Sequence, residues 1–237
     1  MAIVDSAGKK EQVRRMFNDI APKYDFLNHF LSLGIDRCWR KRLVRTLKKL
    51  HPATILDVAT GTGDLAIAAL KTGAHKITGV DISAQMLEVG RKKLIRKKLD
   101  DRIELIEGDS EALPFADADF DAVMVAFGVR NFGDLEQGLR EMARVTKPNG
   151  AVFILEFSKP RLFPFKQLYN FYFRYILPFF GRLVSGHRQA YTYLPDSVLV
   201  FPDGINFLDK MKRCGYNNVK QHRLTFGIAT IYSGSKT

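Results

Sequence analysis

The run Ile55-Leu-Asp-Val-Ala-Thr-Gly-Thr-Gly-Asp-Leu65 constrains the chain more than any other stretch. Ile55, Leu56 and Val58 read as the end of a strand buried on both faces, as strands of parallel sheets are. Gly61 and Gly63 then let the backbone turn tightly against a ligand with no Cβ in the way, and Asp64 opens a helix. Eighteen residues past Gly63 a second strand, Ile77-Thr-Gly-Val-Asp81, ends in a carboxylate placed to hold a ribose diol. Two such strand ends predict a pocket for a nucleotide-like cofactor at the carboxyl edge of a doubly wound sheet.

Glycines alone do not name that cofactor, because Gly61-Thr-Gly-Asp-Leu-Ala66 also satisfies the dinucleotide pattern G-x-G-x-x-G/A. Asp57, four positions before Gly61, discriminates. A carboxylate there repels a pyrophosphate and attracts the sulfonium and ammonium of S-adenosylmethionine. The methyl donor is therefore favoured over NAD(P). A glycine turn that only packs helix on strand is disfavoured by the second acid, Asp81.

With 237 residues the chain can bury one sizeable core, so a single domain is expected. It divides into a helical cap over 1–50, a cofactor-binding core over 51–157, an aromatic insert over 158–202 and a closing helix and hairpin over 203–237. An excess of 37 basic over 25 acidic residues gives +12, which favours an anionic partner such as nucleic acid or an anionic membrane surface. Cys38 and Cys214 form no paired motif, so neither a disulfide framework nor a metal site is expected and a cytoplasmic setting fits. The first ten residues lack the apolar run of a signal peptide, and no segment offers about eighteen uninterrupted apolar residues to span a membrane.

In the cap, Val13, Met16, Phe17 and Ile20 recur at helical spacing until Pro22. Further helices are expected over Tyr24–Leu33 and Asp36–Leu50, the latter with Trp39, Leu43, Val44 and Leu47 inward, together closing the cofactor site from water. In the core, Ser83 caps a helix to about Lys98 with Met86, Leu87, Leu94 and Ile95 facing the sheet. Its Arg91-Lys-Lys93 and Arg96-Lys-Lys98 read as a solvated face, since no aromatic residues interleave to stack bases. Asp109 and Ser110 follow the third strand, Ile103–Glu107, where Asp109 can accept from an adenine amine. The fourth strand, Phe120–Phe127, leaves through Gly128-Val-Arg-Asn-Phe132; Asp134 caps the next helix, and Lys147–Gly150 turns into a fifth strand, Ala151–Phe157. Asp203 is expected to cap a last helix, before a hairpin of Val219–Leu224 and Ile228–Ser235. Seven strands with the last turned back between two others make the doubly wound α/β sheet of the class I S-adenosylmethionine methyltransferases.

The insert breaks this alternation, since nine of the eighteen residues from Phe163 to Phe180 are Phe or Tyr. Such density suits a segment lying in a membrane interface, a hydrophobic lid, or a homodimer interface.

Longer motifs carry a resemblance. Tyr24-Asp-Phe-Leu-Asn28 with Ser32 and Trp39, Phe127-Gly-Val-Arg-Asn131, Arg144–Gly150 through Leu155-Glu-Phe-Ser-Lys-Pro160, and Tyr191-Thr-Tyr-Leu-Pro195 with Phe201-Pro202 are similar to those of the quinone-biosynthesis C-methyltransferases, from about residue 10 to the end. This group methylates demethylmenaquinone and its ubiquinone-pathway relatives. Leu27 and Asp36 stand where the family more often has Met and His; Thr146, Asn149 and Ala126 also depart from its pattern.

The resemblance implies S-adenosylmethionine held by Asp57, Gly61, Thr62, Gly63, Asp81, Asp109 and Ser110, and a prenylated demethylquinol as acceptor, most often the naphthoquinol and alternatively the benzoquinol. Arg130 and Asn131 leave the fourth strand where the acceptor must sit, and a fixed guanidinium favours a phenolate; Tyr24 offers a hydroxyl from the cap. The competing reading pairs Arg130 with Glu156 or Asp57 to hold the loop, and leaves His187 a surface residue. A nucleic-acid methyltransferase shares the fold, but its Pro-Pro-Tyr-like motif after the fourth strand is replaced by Gly-Val-Arg-Asn, so no nucleic-acid partner is expected.

Overall fold

The computed structural model describes residues 6–172, 175 and 188–236. Phe173, Phe179 and Phe180 of the aromatic insert, and His187, lie outside the described residues. Among the described residues seven strands form one sheet: β1 (Thr54–Val58), β2 (Lys76–Asp81), β3 (Ile103–Glu107), β4 (Phe120–Ala126), β5 (Thr146–Phe157), β6 (Asn217–Leu224) and β7 (Ala229–Ser235). Their order is β3-β2-β1-β4-β5-β7-β6, with β1 to β5 parallel and β7 antiparallel between β5 and β6. The chain leaves β1 toward β2 on one side and returns to β4 on the other. The carboxyl ends of β1 and β4 therefore diverge, which is where open α/β sheets bind ligands.

Alternation along β1 supplies both cores. Ile55 packs with Leu43, Leu47, Leu87, Met124 and Phe153 on one face, and Leu56 with Val123, Met142, Phe207 and Tyr232 on the other. The helices are α1 (Ser6–Ile20), α2 (Tyr24–Leu31), α3 (Ile35–Leu47), α4 (Asp64–Ala69), α5 (Ala84–Lys97), α6 (Leu135–Val145), α7 (Phe165–Phe171), α8 (Arg188–Val200) and α9 (Ile205–Arg213). Two expected caps are made as read. Ser83 accepts from the Met86 amide at 3.2 Å and Asp134 from the Gln137 amide at 3.0 Å, each satisfying a free donor of a first turn.

Four expectations are corrected. The buried stripe of α5 is Met86, Leu87, Gly90, Lys93 and Leu94, so Ile95, one step of about 100° beyond it, is 63% exposed. Lys93 consequently points inward and is not part of a solvated face. Asp203 does not cap α9; Gly204 holds that position, while Asp203 Oδ2 accepts from the Lys159 amide and ties down the exit of β5. The stretch Lys147–Gly150 lies inside β5 as an irregularity, with Asn149 at φ 63°, and not as a separate turn.

Candidate functional site

A cleft opens at the carboxyl ends of β1, β2 and β4, bordered by Gly61, Asp81, Asp109, Ser110, Ala126 and Asn131. Asp81 anchors it: Oδ2 accepts from the Gly61 amide at 2.7 Å and Oδ1 from the Ser83 amide at 2.9 Å. Burial pushes this carboxyl upward against the pull of those amides. Gly61 and Gly63 take φ of +58° and +81°, the left-handed region that glycine enters freely. Two non-glycine residues, Ala59 and Phe127, also take φ of 51° and 59° where β1 and β4 end. Their strained backbones turn the two loops into the cleft.

Asp57 stands apart from the cleft wall, fully buried one turn below. Its Oδ2 accepts from Thr60 Oγ1 at 2.7 Å, and its Oδ1 is buried with no partner. Burial raises its pKa to about 7, against the hydrogen bonds from Thr60 and the Ala66 amide. A buried acceptor without a donor next to a glycine turn fits a cationic ligand, so the residues present fit S-adenosylmethionine.

The structure does not bring all the expected donor residues to the cleft. Thr62 and Gly63 do not border it. The Thr62 hydroxyl instead donates to Asp25 Oδ1 at 2.5 Å and accepts from Lys93 Nζ at 3.0 Å, turning toward the cap. Asp109 borders the cleft, but its Oδ2 is held by Lys10 Nζ at 2.8 Å and its Oδ1 by the Glu111 amide. Lys10 also meets Glu111 Oε2 at 2.8 Å, so α1 lies latched across the opening, with Val13 and Phe17 beneath it. Lys10 and Glu111 were illegible because neither belongs to a strand end or a glycine turn.

A second cavity of about 570 Å³ lies between the cap and α7. Trp39, Phe127, Phe157, Leu168 and Phe171 give it an apolar wall, and Asn28, Ser32, Asp36 and Arg40 a polar end. Phe17, Tyr24 and Phe127 border both spaces, so the cavity adjoins the cleft. Burial raises the Tyr24 phenol pKa, opposed by Asn28, Arg130 and Arg40.

Arg130 borders this cavity and pairs with Glu156 at 2.9 Å, not with Asp57; it also donates to the Phe127 carbonyl and lies over the Phe157 ring at 5.5 Å. Its Nε is buried with no partner. Asn131 borders the cleft, and its Oδ1 accepts from the Tyr193 hydroxyl at 3.1 Å, a link between the two spaces that the sequence reading did not find. At the polar end, Asp36 Oδ1 accepts from Ser32 at 2.6 Å while Oδ2 lies 2.9 Å from His29 Nδ1. Among the described residues no group of three His, Cys, Asp or Glu side chains is arranged to hold a metal ion.

Among solved structures, the chain is similar to a SAM-dependent methyltransferase of Thermotoga maritima, with TM-score 0.65 and 18% identity over 94% of this chain and 99% of that one. It is also similar to phosphoethanolamine N-methyltransferase 2 of Haemonchus contortus in complex with S-adenosyl-L-methionine, with TM-score 0.58 and 17% identity over 82% of this chain and 52% of that one. These likenesses are of fold: the class I methyltransferase sheet. In sequence, the ubiquinone/menaquinone biosynthesis C-methyltransferase UbiE of Geotalea daltonii is 50% identical over 96% of this chain and 97% of its own. The demethylmenaquinone methyltransferase of Bacteroides fragilis is 47% identical over 96% of this chain and 94% of its own. With residues 5–236 matching the model of the ubiE/COQ5 methyltransferase family, the chain belongs to that family.

Proposed function

We propose that this protein is an S-adenosylmethionine-dependent C-methyltransferase acting on the ring of a prenylated demethylquinol, with demethylmenaquinol as the acceptor. The observation that carries the reading is the junction at Phe17, Tyr24 and Phe127, where a cleft with acidic strand ends meets a large apolar cavity. A cavity of about 570 Å³ with one polar end suits a bicyclic aromatic ring with hydroxyls, followed by an apolar tail.

S-adenosylmethionine supplies an electrophilic methyl group when bound. Asp81 would hold its ribose hydroxyls, and Asp109 and Ser110 the adenine edge once Lys10 releases Asp109. Asp57, whose carboxyl burial keeps largely protonated below about pH 7, would be drawn toward its ionised form behind the turn by the cationic donor. On the acceptor side, Arg130 stabilises an ionised ring hydroxyl, which makes the neighbouring ring carbon nucleophilic. Tyr24 positions the ring, Asn131 holds Tyr193 at the cavity wall beside it, and the cap excludes water. The test is an assay of the purified protein with labelled donor against demethylated naphthoquinol and benzoquinol, with product mass measured. Methyl transfer to neither would overturn the reading.

We further infer a membrane-docking role for the mouth of the cavity. Leu33, Leu168 and Phe171 line the cavity and are also exposed, and Phe163 stands out beside α7. Among the described residues no helix is long and apolar enough to cross a membrane. An exposed apolar rim with Arg161 and Lys166 nearby in the chain suits the surface of an anionic bilayer, from which a lipid-soluble quinol enters without crossing water. A homodimer formed through the same rim is the alternative that flotation separates.

A further inference from the structure

Among the described residues, Lys93 is a buried cation that the reaction just described does not use. Its ammonium, 9% exposed, has three donors and three partners: Thr62 Oγ1 at 3.0 Å, Asp64 Oδ1 at 2.7 Å and Asp25 Oδ2 at 2.6 Å. These partners come from three places. Asp25 is in α2, Asp64 begins α4, and Thr62 lies between the two glycines of the turn.

Two of the partners are next to a residue of the site. Asp25 follows Tyr24, and Thr62 follows Gly61. Tyr24 and Gly61 are themselves in close approach, since a Cβ on Gly61 would lie 3.7 Å from Tyr24 Cε1. The network continues through Asp64, whose Oδ2 lies 3.5 Å from His29 Nε2 and 3.6 Å from Arg40 Nη1, and Arg40 pairs with Asp36 at the polar end of the large cavity. Burial opposes ionisation of Asp64, but Lys93, Arg40 and His29 outweigh it and hold its carboxyl below the ordinary range. Without the ammonium, the carboxylates of Asp25 and Asp64 would lose the cation they share, with only Arg40 and His29 on Asp64 left to oppose their repulsion and hold α2 near α4.

We propose that Lys93 is a positioning residue that clamps the cap helix α2 onto the glycine turn, so that one ammonium sets both ligand sites and couples them. The inference rests on the assignment of donor and acceptor sites made above. The clamp makes a specific demand: filling one site stiffens the geometry of the other, and the coupling is reciprocal.

The experiment uses the full chain with S-adenosylhomocysteine, titrated by calorimetry, and a short-tailed 1,4-naphthoquinone, titrated by quenching of Trp39, the single tryptophan, which lines the large cavity. In the parent, saturation with either ligand should shift the affinity for the other by at least about fivefold, equally in both directions. Lys93→Met should weaken S-adenosylhomocysteine roughly tenfold and abolish the coupling, while Lys93→Arg restores most of both. Thr62→Val removes one hydroxyl at nearly constant shape while keeping the Lys93–Asp25 and Lys93–Asp64 charges paired, so it disturbs the fold less than Lys93→Met; its coupling should fall below that of the parent. Full coupling in Thr62→Val and in any folded Lys93→Met overturns the clamp, as does a parent that binds both ligands without coupling. A parent that binds neither ligand overturns the site assignment first, and the clamp with it.

Discussion

Arg130 Nη1 lies 2.9 Å from Oε1 of Glu156, a carboxylate with no exposed surface. Burial pushes the Glu156 carboxyl upward, and the charge of Arg130 with the amides of Phe157 and Arg130 pulls it back. The pair fixes a guanidinium at the wall of the large cavity. Arg130→Ala should lower turnover at saturating donor while leaving S-adenosylhomocysteine affinity within about twofold. It should also cost about 3–5 kcal/mol of stability, because a buried carboxylate loses its partner. Turnover assays beside calorimetry check this, and a parallel collapse of donor affinity would move Arg130 to the donor cleft.

Asp81 joins the second strand to the glycine turn, so its loss has two effects. Asp81→Ala removes the proposed acceptor for ribose hydroxyls and orphans the amides of Gly61 and Ser83. S-adenosylhomocysteine affinity should fall by about 1.5–3 kcal/mol. Binding within twofold of the parent would remove Asp81 from the donor site.

Asp57 makes stability depend on pH. Its folded pKa of about 7 lies above its ordinary 3.8, so between those values the folded chain keeps a proton that the unfolded chain has released. Stability from this group is therefore fully present below pH 3.8 and is lost as pH rises through about 7, by at most about 1.4 kcal/mol per pH unit. Urea unfolding from pH about 5 to about 8 should show a slope in the parent that Asp57→Asn lacks. Equal slopes would mean that Asp57 is ionised throughout.

Liposome flotation tests the rim. The parent should float with anionic vesicles and less with neutral ones. Replacing Phe163 and Phe171 by Ser should release it, since each large apolar side chain withdrawn from the interface costs about 1.5–3 kcal/mol, roughly tenfold or more in partitioning. A parent that stays at the bottom with both vesicle types retires the docking role, and a concentration-dependent mass would then assign the rim to a dimer.

The sheet was legible because local patterns dictate it: apolar runs at Ile55–Val58 and Ala122–Val125, side-chain caps at Ser83 and Asp134, and the closing hairpin. Asp81, Gly61, Asp109 and Ser110 border one cleft because strand ends in such a sheet converge. Lys93 was misread because charge dominates a count of exposed residues, although its spacing from Met86 and Gly90 already put it on the inward face. Thr62, between the glycines of the turn, does not border the cleft, because its hydroxyl answers to Asp25 and Lys93, far away in sequence. The large cavity had no signature, because Trp39, Phe127, Phe157 and Leu168 meet only in the folded chain.

The latch of α1 sets a timetable. With Lys10 on Asp109 and Glu111, the cleft measures about 70 Å³, against roughly 300–1,000 Å³ for sites that admit cofactor-sized molecules. A nucleoside larger than that space is expected to enter or leave with α1 lifted, which breaks the ion pairs of Lys10 with partly exposed Asp109 and with buried Glu111. Salt weakens such pairs. Catalytic cycles paced by departure of the spent donor should quicken as ionic strength rises, whereas cycles paced by bond formation in the enclosed site should not.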